Sequence, residues 1–174
     1  PLEMMAACHG RVQAQCATLR RLAAHLARQG ADRQAQDSAA AVMRYFTTSA
    51  VHNLADEEID LFPALIESVA GSDAVCVREL TASLVAEHRE LEQRWRALHR
   101  RLEQVTRADA ATLPDDEVHG FIDLYERHIA REEAELLPMA GRLLSDAELD
   151  RIGLAMRARR DAIEPTPLSH SSPA

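Results

Sequence analysis

The chain has 174 residues, 28 Asp and Glu against 20 Lys and Arg, a formal net charge of −8 and only 3% aromatic residues. Such a length suits a single domain that buries roughly 70% of its unfolded surface. The negative charge argues against a nucleic-acid surface and an anionic membrane, both of which demand clustered Lys and Arg; the short Arg157-Ala158-Arg159-Arg160 run does not change that.

Ala, Leu, Arg and Glu dominate and no strand-favouring run occurs, so the predicted fold class is all-α. The first helix is predicted from about Leu2 to Gln29, closed by Gly30 in a left-handed turn, with Met5, His9, Val12, Cys16, Leu19 and Ala23 facing inward. Asp32 can cap a second helix that meets no convincing stop before Gly71. Thr47, Thr48 and Ser49 weaken its middle, and Pro63 removes a backbone donor and should kink it. A third helix opens at Ser72 or Asp73, carries the stripe Val77, Leu80, Leu84, His88, Leu91, Trp95, Leu98 and Leu102, and fades after Arg107. The fourth begins near Pro114, followed by Asp115, Asp116 and Glu117, where the positive end of a helix favours acids. Ser145 and Glu148 form a capping box for a short last helix reaching about Ile163. The expected architecture is an up-down-up-down four-helix bundle with an additional short C-terminal helix over residues 1–163, then a disordered Pro/Ser tail over 164–174.

No apolar run approaches the ~20 residues of a spanning helix, and Pro1-Leu2-Glu3-Met4-Met5 lacks the basic and long apolar parts of a signal peptide. The expectation is a soluble, cytoplasmic protein. Cys8 and Cys16 stand two turns apart on one helix, too far to bridge, and no Cys-x-x-Cys occurs. The cysteines read as reduced packing residues.

The chemistry shows first in the fourth helix. Val118, Phe121, Ile122, Tyr125, Ile129 and Leu136 make one apolar stripe, and His128 and Glu132 fall inside it. Burying an imidazole and a carboxylate without partners costs a few kcal/mol or more, and His-x-x-x-Glu lets one cation satisfy both. The chain also repeats itself. A shift of 79 residues lays His9 on His88 and Leu19 on Leu98, and a shift of 75 lays Asp56-Glu57-Glu58 through Pro63 on Arg131-Glu132-Glu133 through Pro138. His9 and position 53 each stand about twenty residues, ~30 Å, from the first connection, so antiparallel packing brings His9, Glu57, His88, His128 and Glu132 to one layer.

These residues resemble the hemerythrin-like proteins, the HHE cation-binding group, over roughly residues 4 to 160. The strings that carry the likeness are Cys8-His9, Asp56-Glu57-Glu58 running into Leu61-Phe62-Pro63, Glu87-His88-Arg89-Glu90-Leu91-Glu92, and His128-Ile129-Ala130-Arg131-Glu132-Glu133 running into Leu136-Leu137-Pro138. The resemblance implies a non-haem iron centre, usually two ions bridged by two glutamates and handling O2, NO or peroxide, with His9, Glu57, His88, His128 and Glu132 as ligands. It also implies a histidine four residues before Glu57, where this chain has Asn53. The neighbouring His52 points about 100° away unless an overwound or π-type turn near Thr47 to Ser49 rotates it inward. Asn53 can instead offer an amide oxygen or leave a place to water, or a single ion, iron or zinc, is held.

Taken alone, His25, His99 and His119 read as surface histidines or supports behind a site, and His170 falls in the tail. Glu58 and Glu133 read as solvated or as lying behind the ligands, Tyr125 as packing with a hydroxyl within reach of a bound oxygen species, and Trp95 as core. Three functions compete: a module binding or sensing a small oxidant, an enzyme consuming peroxide or repairing iron centres, and a structural or partner-binding bundle with a degraded site.

Overall fold

The structure is a computed structural model and describes residues 1–162; the proposed tail at 164–174, with His170, lies outside the described residues. All regular elements described are helical. Helix α1, Leu2–Gln29, ends at Gly30, whose φ of 71° and ψ of −165° suit a residue without Cβ. The Asp32 carboxylate accepts from the Ala35 amide and starts α2, Arg33–Thr47.

The long second helix of the sequence reading proves to be jointed. It breaks at Thr48, resumes as α3, Ser49–Ala55, widens into a π-turn over Asp56–Leu61 and finishes as α4, Phe62–Glu67. In α-helical geometry Pro63 would remove one hydrogen bond and press its ring on the carbonyl of Ile59. The wider turn relieves this: the Phe62 amide donates to the Glu57 carbonyl five residues back. The kink expected at Pro63 is therefore taken up in the turn before it.

Helix α5, Gly71–Thr106, is the longest of the described helices at 36 residues. Helix α6, Asp115–Arg131, passes through a second π-turn, Glu132–Leu136, into α7, Leu137–Leu143. Here too the residue before proline, Leu137, donates to the carbonyl five back, that of Glu132. Helix α8, Asp146–Asp161, starts with the predicted capping box in place at Ser145 and Glu148.

Helix α1 packs on α2 and α6, and α5 on α2 and α6, which makes the four-helix bundle; α8 lies across α3 and the first π-turn. Two apolar clusters fill the interior. One gathers Leu19, Phe46, Leu98, Leu102 and Phe121, the other Leu61, Leu65, Leu84, Leu136 and Met156. A fully buried leucine contributes roughly 1.5–3 kcal/mol. Buried His9, Glu57, His88, His128 and Glu132 belong to neither cluster. The six aromatic residues fall into two sets: Tyr45, Phe46, Trp95, Phe121 and Tyr125 form a linked group, and Phe62 stacks on His88 with centroids 6.0 Å apart.

Candidate metal centre

Each π-turn begins at or one residue before a candidate glutamate, and the long helices α1, α5 and α6 deliver the histidines. Glu57, His88, His128 and Glu132, all buried, each place one donor atom within 4.8 Å of the others. His88 Nε2 lies 3.1 Å from Glu57 Oε2 and 3.1 Å from His128 Nε2, and His128 Nε2 lies 3.2 Å from Glu132 Oε1. The other oxygen of Glu132 is 3.0 Å from His9 Nε2. One carboxylate thus faces two imidazoles on opposite sides.

The opposite edge of every ring is also engaged. Nδ1 of His88 is 2.7 Å from Glu58, Nδ1 of His128 is 2.7 Å from Glu87, and Nδ1 of His9 is 3.2 Å from Glu133. A carboxylate takes only a donated proton, so each Nδ1 carries the hydrogen, and a ring without a second proton turns its Nε2 lone pair inward. Lone pairs and carboxylate oxygens then converge with no donor among them. Consistent with this, Glu57 Oε2 and Glu132 Oε1 are buried without a hydrogen-bond partner. A cation satisfies such a set, so the residues present fit a metal ion.

Without a cation, protons have to do that work. Burial and the adjacent Glu132 carboxylate push Glu57 well above the ordinary carboxylate range. Burial pushes Glu132 the same way, but hydrogen bonds from His128 and His9 overcome it and hold that group low. His9 and His128 are driven down by burial and raised further by Glu132, with a net upward shift.

The sequence model of the hemerythrin HHE cation-binding domain matches residues 1–140. The chain belongs to that family. A further relative, an uncharacterized protein of Haemophilus influenzae, is 32% identical over 164 residues, spanning 94% of this chain and 92% of the relative.

The hemerythrin-like chain departs from its own internal symmetry on one side. His52 is half-buried and lines an outer cleft, and it is absent from the donor group. The π-turn that could have rotated it inward lies beyond it at Asp56–Leu61, and at the break the Thr48 amide is shared between the Arg44 and Tyr45 carbonyls without bringing His52 to the donors. Asn53 is buried beside the donors, but its amide oxygen faces Arg160 Nη2 at 3.4 Å. The shift that pairs His9 with His88 also pairs Cys8 with Glu87. Both halves of one histidine–carboxylate couple are therefore replaced: His128 and Glu87 on one side, Asn53 and Cys8 on the other.

Glu87 is the residue that sequence reasoning missed. It is held by Arg131 Nη1 at 2.9 Å, which also reaches Ser83 Oγ at 2.7 Å, while Glu58 is held by Arg89. The Cys8–Glu87 mismatch in the repeat was the available signal. Such carboxylates typically support metal affinity by 10–100-fold. Glu87→Gln is expected to weaken metal binding by about that factor without changing helix content, measured by competition with a chelator; unchanged affinity would show that the Glu87–His128 contact is incidental. The remaining histidines stay outside the layer: His25 bonds Asp32, His99 sits edge-on to Trp95, and His119 contacts the Asp115 carbonyl.

Proposed function

We propose that this hemerythrin-like chain holds two iron ions and uses them to bind or sense a small oxidant, O2, NO or peroxide. The observation that carries the reading is Glu132, whose two oxygens face His128 and His9 separately, as a bridging carboxylate must. His88, His128, Glu57 and Glu132 would hold one ion, and His9 with Glu132 would help to hold the second. Iron bound there would supply electrons and a place for the oxidant to bind. Histidine and carboxylate donors also accept manganese and zinc, so iron rests on the family likeness.

The chain's own residues shape the rest. Glu57 and Glu132 offset the ionic charge, and the carboxylates behind the rings fix the imidazoles in the tautomer that offers Nε2. Tyr125, its hydroxyl kept protonated by burial, lines the small cavity shared by His9, Asn53, Glu57, His128 and Glu132. Its hydroxyl would offer a hydrogen bond to an oxidant entering that cavity. Cys8, Cys16 and Cys76 are unpaired, which suits a reducing, cytoplasmic setting.

A second reading, one ion in the four-donor group, is favoured by Asn53 and Cys8 standing where the other couple should be. Metal analysis after iron-supplemented growth tests both. About two irons per chain are expected, and protein that stays metal-free after reconstitution would refute the proposal. Asn53→His is expected to make the weaker ion more resistant to chelators. A rise from one ion to two in that variant would establish the single-ion reading for the native chain.

A further inference from the structure

On the side where the second couple is missing, the surface opens into a cleft of about 450 Å3 lined by Cys8 and Asn53 together with Arg11, Arg44 and Arg160. Its volume falls within the range of small-molecule sites. The polar lining consists mostly of donors: three guanidiniums, the Tyr45 and Ser49 hydroxyls and His52, against one acid, Asp161. The Thr48 hydroxyl is already spent on the Arg44 carbonyl.

The arginines are unequally occupied. Arg160 is tied to Asp56 at 2.6 Å and to its own helix at the Met156 carbonyl. Arg11 donates to the Cys8 sulfur at 2.7 Å and lies against the Tyr45 phenol. Among the described residues, neither Arg11 nor Arg44 has a carboxylate within ion-pairing distance. Each guanidinium presents five N–H donors in a fixed fork, and a thiol sulfur is a weak acceptor for any of them. In a chain of net charge −8, two such forks turned to one concave wall call for an acceptor that the described residues do not supply.

We propose that this cleft is a binding site for a small oxyanion of the carboxylate or phosphate class, gripped by Arg11 and Arg44, with Tyr45 and His52 beside it. Asn53 lines both this cleft and the cavity of the donor layer, so the anion sits one side chain away from that layer. The cleft stands on its own residues and does not require the metal reading.

Calorimetric titration of the full chain, chelator-treated and iron-loaded, with inorganic phosphate and with succinate tests the site and separates the two ligand classes. At least one probe is expected to bind the metal-free chain in a one-to-one ratio, about tenfold more weakly in Arg11→Ala and in Arg44→Ala. Both positions are exposed, so the fold should survive, and thermal melts check it. Arg33→Ala, on an open surface, should bind as the native chain does. The proposal is overturned if neither probe binds at about 10 mM, if both arginine variants bind unchanged, or if binding appears only with iron present and ignores the arginines. Arginine-dependent binding by a chain that never takes up iron would keep the cleft and remove the metal reading.

Discussion

The His88→Ala, His128→Ala double variant is expected to emerge from iron-supplemented growth without tightly bound metal. It loses the two Nε2 atoms that stand 3.1 Å apart at the middle of the donor group. Glu57 and Glu132 are then left side by side in an apolar interior. Two close carboxylates in such surroundings keep a proton between them instead of a cation. The loss should exceed the 10–100-fold cost of removing a supporting carboxylate. A second readout follows from linkage: a ligand at a thousand times its dissociation constant stabilises the folded state by about 4 kcal/mol. The native chain should therefore melt higher with metal than without it, and the variant should show no such difference. His119→Ala serves as the control, because that ring contacts only a backbone carbonyl on the surface. Native metal content in the double variant would move the site elsewhere in the fold.

Asp56→Ala is expected to lower the unfolding free energy by roughly 2–4 kcal/mol. Asp56 is 1% exposed and lies between Arg159 and Arg160 of α8. Removing one member of a buried ion pair usually costs about 3–5 kcal/mol because its partner stays buried and unpaired. The expected value is lower here: both guanidiniums are partly exposed, and Arg159 keeps Asp60 at 2.7 Å. Denaturant melts measure the change, and faster proteolysis near α8 should accompany it. A change below about 0.5 kcal/mol would place the contact among ordinary surface pairs. The result matters for the site because α8 lies beyond the family match at residues 1–140, yet its Arg160 reaches Asn53 and Cys8. This helix forms one wall of the cleft on the side of the centre that lacks a histidine–carboxylate couple.

Much of this was legible because it depends on local rules. Gly30, Asp32 and Ser145 end or start helices through their own backbone and side-chain chemistry, and each does so here. The inward stripe of α5 repeats at helical spacing, and only Trp95 of its members is less than fully buried. The five polar residues could be brought to one level by counting from the connections, since the rise per residue is constant. What the sequence hid depends on angle and long-range pairing. A proline signals that a helix must yield, without saying whether it bends or widens; both times the strain was spread over the turn before. For Glu58 and Glu133 the spacing leaves open solvent or a place behind the ligands; each in fact reaches the Nδ1 edge of a ring on another helix. Glu87 serves His128, forty-one residues away, and not its neighbour His88. Nothing in the spacing of one helix encodes that choice.

The two widened turns have a further consequence. Each holds an extra residue relative to an α-helix of equal length, so the segments above and below it follow one axis on different angular phases. Phe62 and Leu137 close these turns by clasping the carbonyls of Glu57 and Glu132. In each turn the same glutamate thus supplies a carboxylate to the donor layer and, through its peptide carbonyl, the bond that sets the twist of the lower segment. The centre is seated on two swivels rather than on two rods.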